Sequence, residues 1–476
     1  MAGPVLFRDS GVNYGDMEKI EAFRKLELNL SLEEVRLKGK QLWPYLRIYF
    51  ADWLLFGKDR RITQNTKTVS LALRSMGYGF FNFFRSYDYL VFSSSNNRKQ
   101  VDGKQVAKAD FLGDPITSRS LYIELPFPAH FKRSEIPTRH IVSRILFYVL
   151  EKVLSFFISA GSIANENLLD EFKKELQVEV GHRGLAKRFL AQHRLGCLLA
   201  RIYRPKVVWV ETAYTMMGYV LAFKEKGIPV VEFQHGTISK NHYAYYINKP
   251  YDPAPFPDHL LTFGRGELSV FEDGNYYISP NCVHPIGNFY LEHMVGEMDD
   301  IPELQALKDK YTLLVGIAGQ DPLDDLLAPF VKAAAEQDAR IGYVYMPRYR
   351  KATDYISYTL PENVHFLTDY HFYQQVGHMD YHCTINSTTA LEAPSFGVRN
   401  ILLNIGNRAK NYFGDLLTNE RTTVFVNTPE ELVATLRQEN GLDKDQVRVL
   451  NEQVIEPGFR ANLEKVVNST LQIPRR

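Results

Sequence analysis

Short apolar runs alternate with helical patterns along most of the chain, and the alternation becomes regular after the first 200 residues. The runs 207–210 (VVWV) and 229–233 (PVVEF) predict strands buried on both faces, with a helix over 216–226 between them. Two further strands are predicted at 259–263 and 282–286. This succession of strand, helix and strand predicts a parallel sheet covered by helices.

A second series of the same kind follows a polar, acidic connection at 298–310, and it begins with the strand 311–317 (YTLLVGI). The other elements predicted in this series are a helix at 323–337, strands at 341–345 and 364–367, a helix before Gly377, a strand at 381–385, a helix at 388–396, strands at 400–403 and 423–426, and a helix at 429–438. The sequence therefore predicts an α/β protein with two tandem doubly wound Rossmann-like domains, 1–300 and 301–476.

The first 200 residues give weaker patterns. Strands are predicted at 89–93 and 120–125, and helices at 138–160 and 185–203. The aromatic segment 42–56 predicts either a buried helix, which we favour, or a surface that touches lipid headgroups. Neither this segment nor the run 141–160 suits a membrane span, because charged residues interrupt both.

Composition narrows the functional classes. The 476 residues include 56 Lys plus Arg and 55 Asp plus Glu, so the net charge of +1 gives no overall field for nucleic acid, and no nucleic acid partner is expected. The three cysteines form no CxxC pair, which argues against a disulfide framework or a zinc site. No secretory signal is visible at the N-terminus, so we expect a cytoplasmic protein.

The most informative stretch, 232–242 (EFQHGTISKNH), leaves a predicted buried strand directly into Gln234, His235 and Thr237. Ligands of such sheets bind beyond the carboxyl ends of the strands. A histidine there suits the removal of a proton from an attacking hydroxyl near neutral pH. Gln234, Thr237 and His242 are candidate acceptor contacts. The alternative is that His235 only bonds a neighbouring loop.

Glu211, in the stretch 209–214 (WVETAY), stands at the equivalent end of the preceding strand. Its carboxylate is a candidate general base, or a group that orients His235. Thr212 and Tyr214 are candidate contacts to a polar substrate. The alternative is that Glu211 caps the following helix.

In the second half, the stretch 386–393 (NSTTALEA) lies between a predicted strand and an apolar helix. Ser387, Thr388 and Thr389 at a helix start offer hydroxyls and backbone amides to a phosphate, which the helix dipole would favour. Glu392, one turn later, is a candidate acceptor of hydrogen bonds from a ribose. The alternative is an ordinary helix cap with an exposed glutamate.

Neighbouring loops add polar groups to the predicted donor site. Gly319 and Gln320 follow the first strand of the second domain. Arg348 and Arg350 follow the next predicted strand and suit a diphosphate or an acidic sugar, or else lie on a solvated loop. Tyr370 is a candidate stacking partner for a nucleotide base, although core packing would explain it equally.

Several other patterns carry no prediction of a site. The carboxylate pairs 299–300 and 324–325 fall in a connection and at a helix start, so no metal site is predicted. The chain has neither the phosphate loop GxxxxGK[ST] nor the nucleophile motif GxSxG.

The strand-end QHGT of the first half and the NSTTALEAPSFGV of the second resemble bacterial glycosyltransferases of the two-Rossmann (GT-B) type, in particular those that build capsule, lipopolysaccharide or teichoic acid. The resemblance covers about residues 200 to 440. It implies an interdomain cleft with the acceptor held by the N-terminal domain and a nucleotide-sugar donor by the C-terminal domain. It also implies that His235 is a base or a donor-phosphate contact, and that Ser387, Thr388 and Glu392 contact the donor.

Two departures concern the donor. Families that use CMP-linked acidic sugars such as sialic acid or Kdo carry a His-Pro pair after an early donor-domain strand, where this chain has Met346 and Pro347. Relatives that transfer glycerol phosphate from CDP-glycerol carry an acidic and aromatic signature where this chain has 386–388 (NST). Both activities are alternatives to the sugar transfer that we favour.

The sequence thus predicts a metal-independent glycosyltransferase, with His235 or Glu211 as base, that moves a sugar to a hydroxyl of a growing glycan or lipid-linked glycan. The nucleotide sugar is a co-substrate, so no further cofactor is expected. A nucleotide-sugar epimerase and a catalytically silent assembly subunit of a polysaccharide complex are the other hypotheses. Peripheral contact with the inner face of the cell membrane is a further expectation.

Overall fold

A computed structural model describes residues 17–57, 75–127, 129–159, 161–272, 274–298, 300–320, 323–348, 350–438 and 443–470. Within these ranges the chain forms two parallel sheets, of seven and six strands, and two small antiparallel hairpins. The strands are β1 (Arg36–Leu37), β2 (Lys40–Gln41), β3 (Tyr89–Ser94), β4 (Lys99–Val101), β5 (Lys104–Val106), β6 (Ser120–Leu125), β7 (Ile141–Ser143), β8 (Val207–Val210), β9 (Val230–Phe233), β10 (His259–Thr262), β11 (Val283–Pro285), β12 (Leu313–Ala318), β13 (Ile341–Met346), β14 (Val364–His365), β15 (Tyr381–Thr384), β16 (Arg399–Leu403) and β17 (Thr423–Val426).

Helices cover both sheets. They are α1 (Met17–Asn29), α2 (Trp43–Phe56), α3 (Asp114–Thr117), α4 (Arg144–Phe157), α5 (Glu166–Leu176), α6 (His182–Tyr203), α7 (Met217–Lys224), α8 (Phe289–Gly296), α9 (Pro302–Lys310), α10 (Asp324–Ala335), α11 (Phe372–Val376), α12 (Thr389–Glu392), α13 (Arg408–Phe413), α14 (Pro429–Arg437), α15 (Lys444–Asn451) and α16 (Phe459–Lys465). On β3, Tyr89 and Val91 belong to one apolar core, whereas Leu90 and Phe92 belong to the core on the other face. The predicted fold class, two tandem doubly wound Rossmann-like sheets, is confirmed.

The strand orders place a topological switch point in each sheet. The first sheet runs β11-β10-β9-β8-β3-β6-β7 and the second β14-β13-β12-β15-β16-β17. The chain therefore reverses direction across the sheet between β3 and β8 in the first domain, and between β12 and β15 in the second. Ligands of open α/β sheets bind in the crevice at the carboxyl ends of such strand pairs.

Three predicted elements differ from the structure. The predicted helix 138–160 begins with strand β7, and α4 starts at Arg144, where the Ser143 hydroxyl accepts a hydrogen bond from the Ile145 amide. The predicted connection 298–310 contains helix α9, whose surface is polar except for the buried Leu304. The predicted helix 388–396 is only one turn of α-helix, α12, followed by the 3-10 turn Ala393–Phe396 that contains Pro394.

The boundary that we predict at residue 300 lies between β11 and β12, and the division of the chain into acceptor and donor domains stays a prediction. The chain also returns to the first domain at its end. Gly264 lies against the carbonyl of Val454 so closely that a Cβ there would come within 2.2 Å of the oxygen. Helix α16 then packs Phe459 and Leu463 into the core of the first sheet.

An N-terminal helical layer completes the first domain. The predicted buried helix over 42–56 is confirmed as α2, because Trp43, Tyr45 and Phe50 are buried. Glu27 of α1 accepts hydrogen bonds from Arg47 Nε at 2.8 Å and from Trp43 Nε1 at 2.7 Å, also in the interior. Among the described residues, no helix is both long and apolar enough to cross a bilayer.

Candidate functional site

Glu211 lies at the switch point of the first sheet. It follows β8, and its backbone amide continues the pairing with β3 by donating to the Phe92 carbonyl at 3.2 Å. Its Oε2 accepts a 2.6 Å hydrogen bond from Asn97 Nδ2 and a 3.1 Å bond from the Ser94 amide. These partners precede β8 in the chain, and α7 begins without a side-chain cap, so the interpretation of Glu211 as a helix cap is wrong.

Lys108 lies beside this carboxylate. Its amine donates to the Gln234 carbonyl and stands 5.3 Å from the centre of the Phe263 ring. Burial lowers the pKa of the Lys108 amine to about 8. Burial raises the pKa of the Glu211 carboxyl, and the charge of Lys108 offsets part of that rise. The site thus holds a carboxylate prepared to take a proton and a cation that keeps it ionised.

The loop that carries His235 begins at Gln234, whose side chain is held in place by hydrogen bonds. The Gln234 amide donates 2.9 Å hydrogen bonds to the Gly236 carbonyl and to Glu267, and its oxygen accepts from the Phe263 amide at 2.5 Å. Gln234 is therefore buried and positions the loop. Its contact with an acceptor stays a prediction, and the burial of its side chain disfavours that contact. His235 is half-buried immediately beyond it.

The other acceptor candidates gather around the same loop. The rings of Tyr214 and His242 lie 6.2 Å apart, and both contact Tyr245. The hydroxyl oxygen of Thr237 is buried and has no hydrogen-bond partner in the part of the chain that the structure describes. An orphaned buried hydroxyl is uncommon, since most buried polar atoms are paired.

Beyond His235 the same loop contacts the second domain. Three and four residues beyond Thr237, the Lys240 amide donates to Asp415 Oδ2 at 2.7 Å, and Asn241 Nδ2 donates to the Asn411 carbonyl at 2.7 Å. The loop that carries His235 is thus hydrogen-bonded, through Lys240 and Asn241, to α13 and the residues just after it. The switch point of the first sheet consequently lies beside the junction of the domains.

At the switch point of the second sheet, Gln320 joins the two loops. The side-chain oxygen of Gln320 accepts a hydrogen bond from the backbone amide of Asn386 at 3.0 Å. The backbone amide of Gln320 donates to Asp324 Oδ1 at 2.8 Å. Asp324 is fully buried and also accepts from the hydroxyls of Tyr345 and Tyr355, at 3.0 and 2.5 Å. The acidic residue at this helix start therefore orders the loop.

The loop after β15 carries the predicted phosphate contacts. Ser387 is buried, and its hydroxyl accepts a long 3.4 Å bond from the Thr389 amide. Thr388 and Thr389 are half-buried, and the Thr389 hydroxyl oxygen lacks a hydrogen-bond partner within the described ranges. Because α12 has only one turn, the expected contribution of a helix dipole is reduced, and the amides and hydroxyls themselves are the available phosphate ligands.

Glu392 connects the second domain with the first. Contrary to the interpretation as an exposed glutamate, it is buried and accepts a 3.0 Å hydrogen bond from the Tyr373 hydroxyl. The Tyr373 ring packs edge-on against Tyr290 of α8 at 5.0 Å, and the amine of Lys99 from the β4–β5 hairpin lies 5.4 Å from the Tyr290 ring centre. A line of polar and aromatic groups therefore crosses the domain junction.

Arg348, Arg350 and Tyr370 differ in their surroundings. Arg348 is exposed after β13, and its charge acts on Tyr373. The guanidinium of Arg350 instead binds Asp325 at 3.0 Å, and the Tyr370 hydroxyl donates to Glu303 at 3.1 Å. The assignments of Arg350 and Tyr370 to donor binding stay predictions that these contacts disfavour. Gly319, by contrast, lies close to the next strand, because a Cβ at this position would lie 3.1 Å from the Tyr345 ring.

The sequence missed Asn97, Lys108, Tyr290 and Tyr373. Asn97 and Lys108 belong to a polar, turn-rich stretch about a hundred residues before β8, and only the pairing of β3 with β8 brings them to Glu211. The placement of that stretch after a predicted strand was the one available signal.

Potential metal ligands lie elsewhere. In the described ranges, the residues that converge closely enough for a metal ion are His193, Cys197 and Glu225, on α6 and just after α7. Glu225 precedes β9 and so lies at the opposite edge of the sheet from Glu211.

No protein-family model matches the sequence, and no curated protein matches it either. Among solved structures, a putative UDP-N-acetylglucosamine 2-epimerase from Listeria monocytogenes is similar at 12% identity and a TM-score of 0.47, covering 82% of this chain and 98% of its own. A trehalose-6-phosphate synthase from Burkholderia multivorans is similar at 11% identity and a TM-score of 0.47, covering 82% of this chain and 100% of its own. Since these identities and scores are low, the fold assignment rests on the two sheets themselves.

Proposed function

We propose that this protein is a nucleotide-sugar-dependent glycosyltransferase that moves a sugar to a hydroxyl of a growing surface glycan. The observation that carries the proposal is the position of Glu211 and His235. Both stand at the carboxyl ends of adjacent strands, and the His235 loop is hydrogen-bonded to the second domain through Lys240 and Asp415. A proton acceptor beside a junction of two Rossmann-like domains suits transfer between ligands held by each domain.

The proposed reaction is a displacement at the anomeric carbon. The acceptor oxygen forms a bond to the sugar as the bond between the sugar and the donor phosphate breaks. The acceptor proton passes to Glu211 or His235, and the nucleotide leaves with the electron pair of the broken bond. Ser387, Thr388 and Thr389 would bind the departing phosphate, so the step as proposed requires no metal ion.

Glu211 and His235 are separate candidates for the base. The burial that raises the pKa of Glu211 makes its carboxylate a stronger proton acceptor than an exposed one. His235 is more accessible and follows the anchored Gln234. In either case the second group contributes by orienting the acceptor or the base.

On the donor side, we propose that Glu392 accepts hydrogen bonds from the ribose and that Arg348 approaches the diphosphate. The support is the burial of Glu392 beside Tyr373 and the exposure of Arg348 on the neighbouring loop. Buried carboxylates make strong hydrogen bonds to hydroxyls, and an arginine binds phosphate oxygens in pairs.

The test is a transfer assay with nucleotide sugars and a surface glycan, using Glu211→Gln and His235→Ala. We expect kcat of the variant that lacks the base to fall by a factor of about 100 or more, and the other variant to lose less. If neither variant changes transfer by about tenfold, the assignment of the base is wrong. Thr117→Ala removes an exposed hydroxyl at the end of α3 and is the control, which should leave kcat unchanged.

Incubation of the protein with the nucleotide sugar alone, without a glycan acceptor, distinguishes the two enzymatic hypotheses. A transferase leaves the sugar configuration intact without acceptor and consumes the donor when glycan is added. An epimerised sugar in the absence of glycan would instead support the nucleotide-sugar epimerase. A protein that neither transfers nor epimerises with any donor would support the assembly subunit.

A further inference from the structure

Helix α4 buries two of its charged residues and exposes several of its apolar ones. Arg144 and Glu151 are buried, whereas Val153, Phe156 and Phe157 are exposed, the two phenylalanines to 83% and 76%. In a surface helix of a soluble protein, the apolar stripe normally faces the core. The outward side of α4 therefore calls for an explanation other than packing among the residues that the structure describes.

The inward polar contacts fix this orientation. Glu151 accepts a 2.8 Å hydrogen bond from the buried Tyr219 hydroxyl and a 3.2 Å bond from Arg188 Nε. The Arg144 guanidinium lies over the rings of Phe92 and Tyr148. Rotating α4 to bury its phenylalanines would turn Glu151 away from Tyr219 and Arg188, and so leave a buried hydroxyl and a largely buried guanidinium without their acceptor, at a cost in free energy.

A second element continues the same surface. The 3-10 helix Phe80–Phe84 exposes Phe81 to 82% and Phe84 to 75%. It adjoins α4, because the rings of Phe83 and Phe147 lie 5.7 Å apart. It also adjoins the end of α6, where the Tyr203 hydroxyl donates to the Phe83 carbonyl at 2.8 Å.

We name the combined surface the apolar face and define it by Phe81, Phe84, Val153, Phe156, Phe157 and Ile202. Its four phenylalanines alone expose on the order of 600 Å². Such an area reaches the upper end of the largest apolar patches found on soluble monomers, and patches of that size commonly mark interaction sites.

The exposed charges on the segments that carry the apolar face have one sign. In the described segments 75–87, 144–157 and 194–204, no acidic side chain is exposed. The exposed charged residues in these segments are Arg85, Lys152, Arg194, Arg201 and Arg204. A phenylalanine-rich surface with a basic surround complements a layer of anionic headgroups over hydrocarbon.

We infer that the apolar face docks this protein on an anionic lipid surface, with the phenylalanines entering the interfacial region and the basic residues contacting headgroup phosphates. The surface differs from the segment 42–56 that the sequence suggested, because the aromatic side chains of α2 are buried or half-buried and none is exposed. The inference does not rest on the proposed reaction. Docking would nevertheless place the protein on the membrane surface that carries a lipid-linked acceptor.

The test is cosedimentation of the full chain with vesicles of phosphatidylcholine, with and without phosphatidylglycerol. We expect binding to the vesicles that contain phosphatidylglycerol, weakened by salt. The double variant Phe156→Asp with Phe157→Asp should lower the partition coefficient about tenfold or more. The variant Lys152→Glu with Arg201→Glu should lower it by less while leaving the apolar side chains in place.

The matched control is Ile356→Asp with Val449→Asp, which changes two exposed apolar residues outside the apolar face. It should bind like the unmodified protein, and circular dichroism checks that every variant is folded. Absence of binding, or equal binding by the Phe156 and Phe157 variant, would overturn the inference. So would a dimer without lipid that the same variant dissociates in sedimentation equilibrium, because a second copy would then cover the face.

Discussion

The backbone amide of Lys240 donates a 2.7 Å hydrogen bond to Asp415 across the junction of the two domains. Lys240 is the fifth residue after His235, so the carboxylate of the second domain holds one end of the loop that carries the candidate base. Gln234 holds the other end from within the first sheet. The position of His235 thus depends on both domains.

Removal of this contact should impair transfer more than stability. We expect Asp415→Ala to reduce kcat/KM about tenfold, since a charged hydrogen bond contributes roughly 1.5–3 kcal/mol where it is kept from water, and less at a partly exposed site. Steady-state kinetics measures the effect. Asp300→Ala, an exposed aspartate between the two sheets, is the control. Equal kinetics for the two variants would show that the loop does not need the second domain.

Lys108 should set the acidic limit of activity. Its positive charge lowers the pKa of Glu211, so Lys108→Met should raise that pKa and leave less carboxylate ionised at a given pH. We expect the acidic limb of the pH profile of kcat/KM to move to higher pH by about one unit. Lys108→Arg keeps the charge and should move the limb little. An unchanged limb in Lys108→Met would exclude Glu211 as the base.

The same lysine should leave a signature in stability. Its pKa of about 8 in the folded protein lies below the value of about 10.4 in the unfolded chain. Between these values the unfolded state binds more protons, so the free energy of unfolding should rise with pH in that window. Urea unfolding at about pH 8 and about pH 10 should show this rise for the unmodified protein and a smaller one for Lys108→Met.

Glu392 should act on donor affinity. If its carboxylate holds the ribose equally in the ground state and the transition state, Glu392→Gln raises KM for the donor about tenfold and changes kcat little. Glu362→Gln, which changes an exposed glutamate that precedes β14 and so lies at the opposite edge of the sheet, serves as the control. A fall in kcat with unchanged KM would instead place Glu392 among groups that act only in the transition state.

The buried pair Glu27–Arg47 gives a prediction for stability alone. Glu27→Ala leaves the Arg47 guanidinium in the interior without its carboxylate, so the free energy of unfolding should fall by about 3–5 kcal/mol. Urea unfolding provides the measurement, with the exposed Glu21→Ala of the same helix as control. A loss no larger than that of the control would mean that the N-terminal layer unfolds separately from the sheets.

The parallel strands could be predicted from sequence because burial on both faces produces uninterrupted apolar runs, as in β8, whose observed bounds match the prediction. Helix α9 was missed for the opposite reason: it buries little beyond Leu304, so its sequence shows no apolar stripe. Strand β7 was merged with α4 because the apolar run continues across Ser143, and periodicity alone does not separate a short buried strand from a helix.

The candidate site divides in the same way. Glu211 and His235 could be found because each follows a recognisable strand directly. Lys108 and Asn97 could not, because their approach to Glu211 depends on which strands pair across the sheet. The ion pair of Arg350 with Asp325 could not be predicted either, because the sequence of a loop does not show which of its charged side chains pair with a neighbouring helix.

Binding of a nucleotide-activated donor at the junction tests the central claim most directly. A thermal shift panel with CMP-, CDP-, UDP- and GDP-linked sugars should show one nucleotide class that raises the melting temperature, because a ligand that binds only the folded state stabilises it. The increase should be reduced in Glu392→Ala and retained in Thr117→Ala. No shift with any nucleotide sugar, or a shift that Glu392→Ala leaves intact, would contradict the account.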